Sequence, residues 1–167
     1  MAAAGEGALV EAVFLSGGSD GLPATLRDGL ESRISFRLRC YERRPGLSGL
    51  LGDELLAERV VNRVAFYDGF DRRFVVETDG ESASYADEAG FLTAFFALHG
   101  VELAGAGRAP AASGGTPSRY VAAMAQYDPV LLSPPLTILT LFRVAARLTT
   151  PWVRRDVPPG VPVEAAP

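Results

Sequence analysis

Between Arg33 and Tyr41 the chain alternates without a break. Ile34, Phe36, Leu38 and Cys40 fall on one parity, and Arg33, Ser35, Arg37, Arg39 and Tyr41 on the other. Successive side chains of a strand point to opposite faces of its sheet, so this run predicts a strand with one face buried and one face wet. A sheet must then be built around it. Residues 55–67 continue in an extended pattern through Val60, Val64 and Phe66, and Asp68-Gly69 precedes a third strand-like run at residues 71–78. An Asp-Gly pair between two such runs is a hairpin signal, so residues 33–78 predict an antiparallel meander.

Around that meander the remaining segments are read from their punctuation. Residues 9–16 form a short apolar run closed by Gly17-Gly18, which predicts a strand, and residues 22–29 begin on Leu22-Pro23 and end on Gly29, as a short helix does. Ser82 or Ser84 is the expected cap of a helix running through Leu98, with Asp87 and Glu88 in its first turn. Phe91, Phe95 and Leu98, widened by Leu92 and Phe96, make the stripe that should lie on the sheet. His99 and Gly100 then read as its last-turn cation and C′ glycine, with a short strand following at residues 101–103. Small residues, glycine and proline make residues 104–118 a flexible loop. Residues 119–127 are strand-like, and Asp128-Pro129 predicts a turn or break. Ser133-Pro134-Pro135 opens a helix through Leu148, although the β-branched residues at 136–142 would also suit a strand. Beyond Trp152 the tail offers little to pack and is expected to fray.

The expected fold class is therefore α+β: an antiparallel β-meander sheet or open sandwich of four to six strands, with one aromatic-rich helix packed on it and a possible second C-terminal helix. One domain is expected over residues 1–157, with residues 158–167 a disordered tail. Composition agrees, since 48% hydrophobic and 22% charged residues are globular proportions.

The residue inventory excludes several chemistries. All 16 basic residues are arginine, so a Schiff-base lysine and the lysine of a P-loop are ruled out. One cysteine and one histidine cannot form an internal disulfide or a multi-Cys, multi-His metal site. Neither a metal nor a cofactor is expected. A net charge of -4 and a pI near 5.0 argue against nucleic acid as a partner. The longest apolar run, residues 130–141, is interrupted by serine, proline and threonine and is shorter than the roughly 20 residues of a spanning helix, so no transmembrane segment is expected.

Single candidates for chemistry have ordinary structural readings. His99 before a glycine suits a helix end better than a general base. Cys40 shares the parity of Ile34, Phe36 and Leu38 and reads as a buried, inert thiol. The acidic pairs Asp53/Glu54, Asp68/Asp71 and Asp87/Glu88 sit at turns or a helix start, where solvated caps are expected. The glycine-rich stretches do not lead from a strand into a helix and lack the dinucleotide fingerprint. Trp152 is expected to staple the C-terminal segment to the body.

Arginines are the one unusual concentration. Alternation sets Arg33, Arg37 and Arg39 opposite the apolar row of the first meander strand, and sets Arg59 and Arg63 opposite Val60, Val64 and Phe66 in the second. Pairing of the two strands then gathers five guanidinium groups on one outward face, joined by Arg73 and Tyr41. Such a face suits an acidic protein segment or a small anionic ligand, because guanidinium forks bind carboxylate and phosphate bidentately. Interleaved carboxylates such as Glu58 and Glu77 would instead make it a solvated salt-bridge face.

The order of features resembles a family of bacterial exported proteins, domain-of-unknown-function family 4390, over about residues 30–152. The resemblance is carried by the arginine-bearing strand, the second long strand, the hairpin, the aromatic helix, residues 127–136 (YDPVLLSPPL) and residues 149–152 (TTPW). It implies an extracytoplasmic protein of the periplasm or cell envelope whose signal peptide has been removed. The small residues at the start of the chain fit that, and also fit a cytoplasmic start. The resemblance implies no activity and no catalytic residue. The expected function is a non-enzymatic binding or accessory module for a protein partner or small anion. The alternative is a hydrolase-type enzyme using carboxylates, serine or tyrosine without a metal.

Overall fold

The structure is a computed structural model and describes residues 7–13, 21–44, 52–104, 119–131 and 147–157. Its elements run β1 (Gly7–Val13), α1 (Leu22–Arg27), β2 (Glu31–Glu42), β3 (Glu54–Asp68), β4 (Arg73–Thr78), β5 (Glu81–Tyr85), α2 (Glu88–Phe96), β6 (Ala97–Ala104), β7 (Arg119–Leu131), β8 (Leu148–Thr149) and β9 (Val153–Val157). Seven strands form one antiparallel sheet ordered β5-β4-β3-β2-β7, with β8 and β9 both pairing along the free side of β7. β1 and β6 pair as a separate antiparallel ribbon. The fold is α+β, as expected, with more strands in the main sheet than the sequence suggested.

The strand that dominated the sequence occupies the middle of the sheet, flanked by β3 and β7. Its even positions, Ser32 to Cys40, are buried in strict alternation. Ile34, Phe36, Leu38 and Cys40 face a core completed by Leu22 and Leu26 of α1, Phe74 and Val76 of β4, and Phe91 and Phe95 of α2. Both helices thus lie on one face, called here the inner face. Burying a side chain such as Phe91 or Phe95 there contributes roughly 2 to 3 kcal/mol. Ring stacking continues the contact, with Phe74 and Phe91 centroids 4.7 Å apart and Phe91 and Phe95 5.9 Å apart.

Several expectations need correction. Ser82 and Ser84 lie in β5, because Asp79-Gly80, both with positive φ, makes a tight turn that folds residues 81–85 back onto β4. The cap of α2 is Asp87, whose carboxylate accepts from the Gly90 amide at 2.6 Å. α2 ends at Phe96, so Leu98 and His99 belong to β6. Gly100, with φ 63, sits where β6 gains a residue relative to β1, and is a bulge glycine, not a helix C′. Asp128-Pro129 does not end β7; the ladder with β2 shifts register there and resumes at Leu131. Residues 153–157 form β9 against residues 119–123 of β7 in place of a frayed tail. Of the expected loop at 104–118, Ala104 is the last residue of β6 and the rest, like most of the expected helix at 133–148 and the tail at 158–167, lies outside the described residues; Leu148 itself is in β8.

Candidate functional site

The five arginines expected on one face are divided between two. In the β2–β3 ladder Ile34 stands opposite Arg63 and Leu38 opposite Arg59, so both arginines of β3 belong to the inner face. Arg63 is half-buried beneath α2, and its Nη1 donates to the carbonyls of Ala94, Phe95 and Ala97. The guanidinium stands 5.3 Å from the Phe36 ring centroid, and burial lowers its pKa below the ordinary arginine value. Arg59 Nη1 donates to the Glu102 carbonyl of β6 at 3.1 Å. One arginine therefore caps the carbonyl end of α2 and the other ties the β1–β6 ribbon to the sheet. Neither shares the outer face with Arg33, Arg37 and Arg39.

The outer face keeps Arg33, Arg37 and Arg39, and cross-strand pairing arranges them in rungs. Arg39 lies between Glu58 and Ala122, Arg37 between Val60 and Met124, Ser35 between Asn62 and Gln126, and Arg33 between Val64 and Asp128. Val60, Val64 and Phe66, which the sequence placed inward, face outward here. Arg73 is also on this face, opposite Asp68, but near the hairpin and away from the row.

Glu58 serves two cations with one oxygen: Oε1 lies 3.5 Å from Arg37 Nε and 3.2 Å from Arg39 Nε. The hydrogen bond from Arg39 to Glu58 raises the arginine's pKa above its ordinary value. Asp128, across from Arg33, is instead bound by Arg147 at 2.7 Å. Among the described residues no carboxylate lies within ion-pair distance of Arg33. Exposed pairs of this sort contribute only about 0 to 1 kcal/mol, so the row is held loosely by its own counter-ions.

Trp152 closes one end of the row. Thr150 bonds to Ala125 through its backbone amide, and its hydroxyl accepts from the Ala125 amide, so the edge segment arches between β8 and β9. That arch sets the Trp152 ring 5.1 Å from the Arg39 guanidinium while leaving it 38% exposed. Trp152 meets the sheet through Arg39, while the segment itself is held by the pairing of β8 and β9, a long-range property that no local pattern reveals. Two residues beyond Arg39 on β2, Tyr41 stacks on Tyr120 at 5.2 Å, and the Tyr120 hydroxyl donates to Asp53 at 2.8 Å.

The other candidates have structural work. Cys40 is fully buried, and burial raises its thiol pKa. Asp68 accepts from the Phe70 and Asp71 amides in the β3–β4 turn. Glu88 pairs with Arg27 at 2.6 Å, Glu54 with Arg44 at 3.2 Å, and Asp53 is held by Tyr120. Among the described residues no helix is long and apolar enough to cross a membrane. Comparison with protein-family models, with curated proteins and with solved structures returns no match.

Proposed function

We propose that this chain is a non-enzymatic binding module of the bacterial cell envelope whose outer sheet face receives an acidic segment of a partner protein. The observation that carries the reading is the row of Arg33, Arg37 and Arg39 on a face that neither helix covers, with one carboxylate shared by two guanidiniums and, among the described residues, none within ion-pair distance of the third. A sheet ordinarily has its apolar surface covered by another layer. Among the described residues neither helix lies over this face, which alternates guanidiniums with Val60, 41% exposed, and Val64 and Met124. Charge and apolar surface together favour a protein segment over a bare anion. The acidic pairs that a carboxylate-based hydrolase would use are engaged in turns, caps and ion pairs, which weighs against that alternative. The envelope assignment rests on the resemblance to the exported family.

Trp152 supplies the assay, because it is the only tryptophan and lies on Arg39. Titration with a poly-glutamate peptide should change its fluorescence saturably, weaken as salt is raised, and fail in the Arg33→Ala/Arg37→Ala variant. Inorganic phosphate binding as tightly as the peptide would transfer the face to a small anion. Peptide binding that is indifferent to salt and to both substitutions would overturn the reading. Osmotic-shock fractionation of cells expressing the native gene tests location: retention with the cytoplasm would refute the envelope assignment.

A further inference from the structure

We infer that the acidic partner segment is an amphipathic α-helix laid on the outer sheet face, an inference that rests on the binding role proposed for that face. Its basis is the difference between the face of a sheet and its edge. β2 is paired on both sides, to β3 and to β7, so its backbone amides and carbonyls are taken up by the two ladders. A segment resting on the face finds side chains there and no backbone partners. Wherever it covers the apolar rungs it must lose water, and its own N–H and C=O groups must then be satisfied internally. A helix does this by construction, whereas an extended segment is stabilised at a free edge.

Spacing agrees with the same choice. Arg37 and Arg39 project from alternate residues of one strand, roughly 6.6 Å apart at ~3.3 Å per residue. Carboxylates at positions i and i+4 of a helix are separated by about 6 Å along its axis. Arg33 lies two rungs beyond Arg37, within reach of a further acidic position some two turns along. Between the charges, Val60 and Met124 flank Arg37 on the neighbouring strands and offer contact to apolar residues on the same helical stripe. The three guanidiniums of the row outnumber the carboxylates in its rungs, Glu58 and Asp128, the second of which is held by Arg147, and this positive balance selects an acidic helix over a basic one.

Three peptides of one composition decide it: an acidic amphipathic helix with glutamates at i, i+4 beside leucines, a scramble that breaks the stripe, and the amphipathic sequence with a central proline. Trp152 fluorescence reads binding and circular dichroism reads the peptide's conformation. The amphipathic peptide is expected to bind at least tenfold more tightly than the other two, to gain helical signal on binding, and to be lost from the Arg33→Ala/Arg37→Ala variant. Equal binding by the scramble or the proline peptide, or binding without gain of helix, would overturn the helical partner while leaving an acidic-segment site in place. Failure of every acidic peptide to bind the wild-type protein would remove both.

Discussion

Arg63 stands directly opposite Ile34 in the β2–β3 ladder, and so its guanidinium enters the inner layer and donates to the Ala97 carbonyl at 2.5 Å. The carbonyls of Ala94 and Phe95 lie in the last turn of α2, where helical amide partners run out, and that of Ala97 opens β6. A cation at a helix C-terminus also complements the helix dipole. Substituting Arg63→Ala should therefore destabilise the protein by about 2 to 3 kcal/mol, since charge-assisted bonds are lost and their acceptors remain buried. Arg63→Lys should recover only part of this, because its ammonium ends one bond short of the Nη1 position and, being more strongly hydrated, is buried less favourably. Equilibrium urea unfolding measures both; an Arg63→Ala midpoint equal to wild type would show that α2 is held by its aromatic contacts alone.

Asp87 and Ser84 offer a second comparison. Only Asp87 accepts a capping bond in the structure, so Asp87→Ala should cost about 1 kcal/mol. Ser84→Ala, in an exposed position of the edge strand β5, should change stability by less than ~0.5 kcal/mol. The reverse ranking in thermal or urea melts would return the helix start to Ser84.

Tyr127 carries the opposite expectation. Its ring packs against Phe95 and Phe96, but among the described residues its buried hydroxyl makes no well-formed hydrogen bond, since the neighbouring Ser32 hydroxyl donates to the Pro129 carbonyl instead. Tyr127→Phe should leave stability unchanged or raise it by up to ~1 kcal/mol, because it removes an unsatisfied polar atom and keeps the ring. A clear loss of stability would reveal a partner for that hydroxyl.

Cys40 and Tyr127 also set the alkaline limit. Burial raises both pKa values above their ordinary values. A folded-state pKa raised in this way gives a contribution fully present below the unfolded-state pKa and lost as pH rises through the folded value. Unfolding free energy should thus begin to fall above about pH 8.5 to 9, where the unfolded thiol ionises first. Cys40→Ala should flatten the start of that decline and Tyr127→Phe its later part. Native Cys40 should react slowly with a thiol reagent and quickly in urea; rapid native labelling would contradict its position among Phe36 and Leu38.

How much of this was legible depended on whether a segment's signal was local. The β2 run has apolar residues on one parity only, so its inner face could be assigned from the sequence, and with it Cys40. β3 has apolar residues on both parities, Val60, Val64 and Phe66 on one and Val61, Ala65 and Tyr67 on the other. Nothing within β3 says which set turns inward. Its register against β2 decides, and that is a long-range property, which is why Arg59 and Arg63 were placed on the wrong face. The start of α2 was a different failure. Asp79-Gly80 is a two-residue hairpin signal of the same kind as Asp68-Gly69, and reading it would have made residues 81–85 a strand and left Asp87 as the cap. The bulge at Gly100 and the continuation of β7 past Pro129 are decided by partner strands, and no local pattern distinguishes them from a helix end and a turn.

The outer face gives the last prediction, because removing its internal counter-ion and removing its cations should act in opposite directions. Glu58 lies across from Arg39 and holds Arg37 and Arg39 through one oxygen, so an incoming carboxylate must approach those guanidiniums against its charge. Glu58→Gln preserves an oxygen that can accept from both Nε groups and removes the repulsion. Loss of one unit charge at a distance of several ångströms near the surface is worth about 1 kcal/mol, so an acidic peptide should bind roughly fivefold more tightly to Glu58→Gln. Arg37→Ala should weaken the same peptide by a similar or larger factor, and high salt should erase the difference among all three proteins. None of these changes should alter the unfolding free energy by more than ~0.5 kcal/mol, because the pairs are exposed. Trp152 fluorescence titrations on wild type, Glu58→Gln and Arg37→Ala at low and high salt make the comparison. If Glu58→Gln weakens binding, then Glu58 orients the two guanidiniums for the ligand and its charge does not compete with it; if Arg37→Ala has no effect at low salt, the arginine row is a solvated surface and the peptide binds elsewhere.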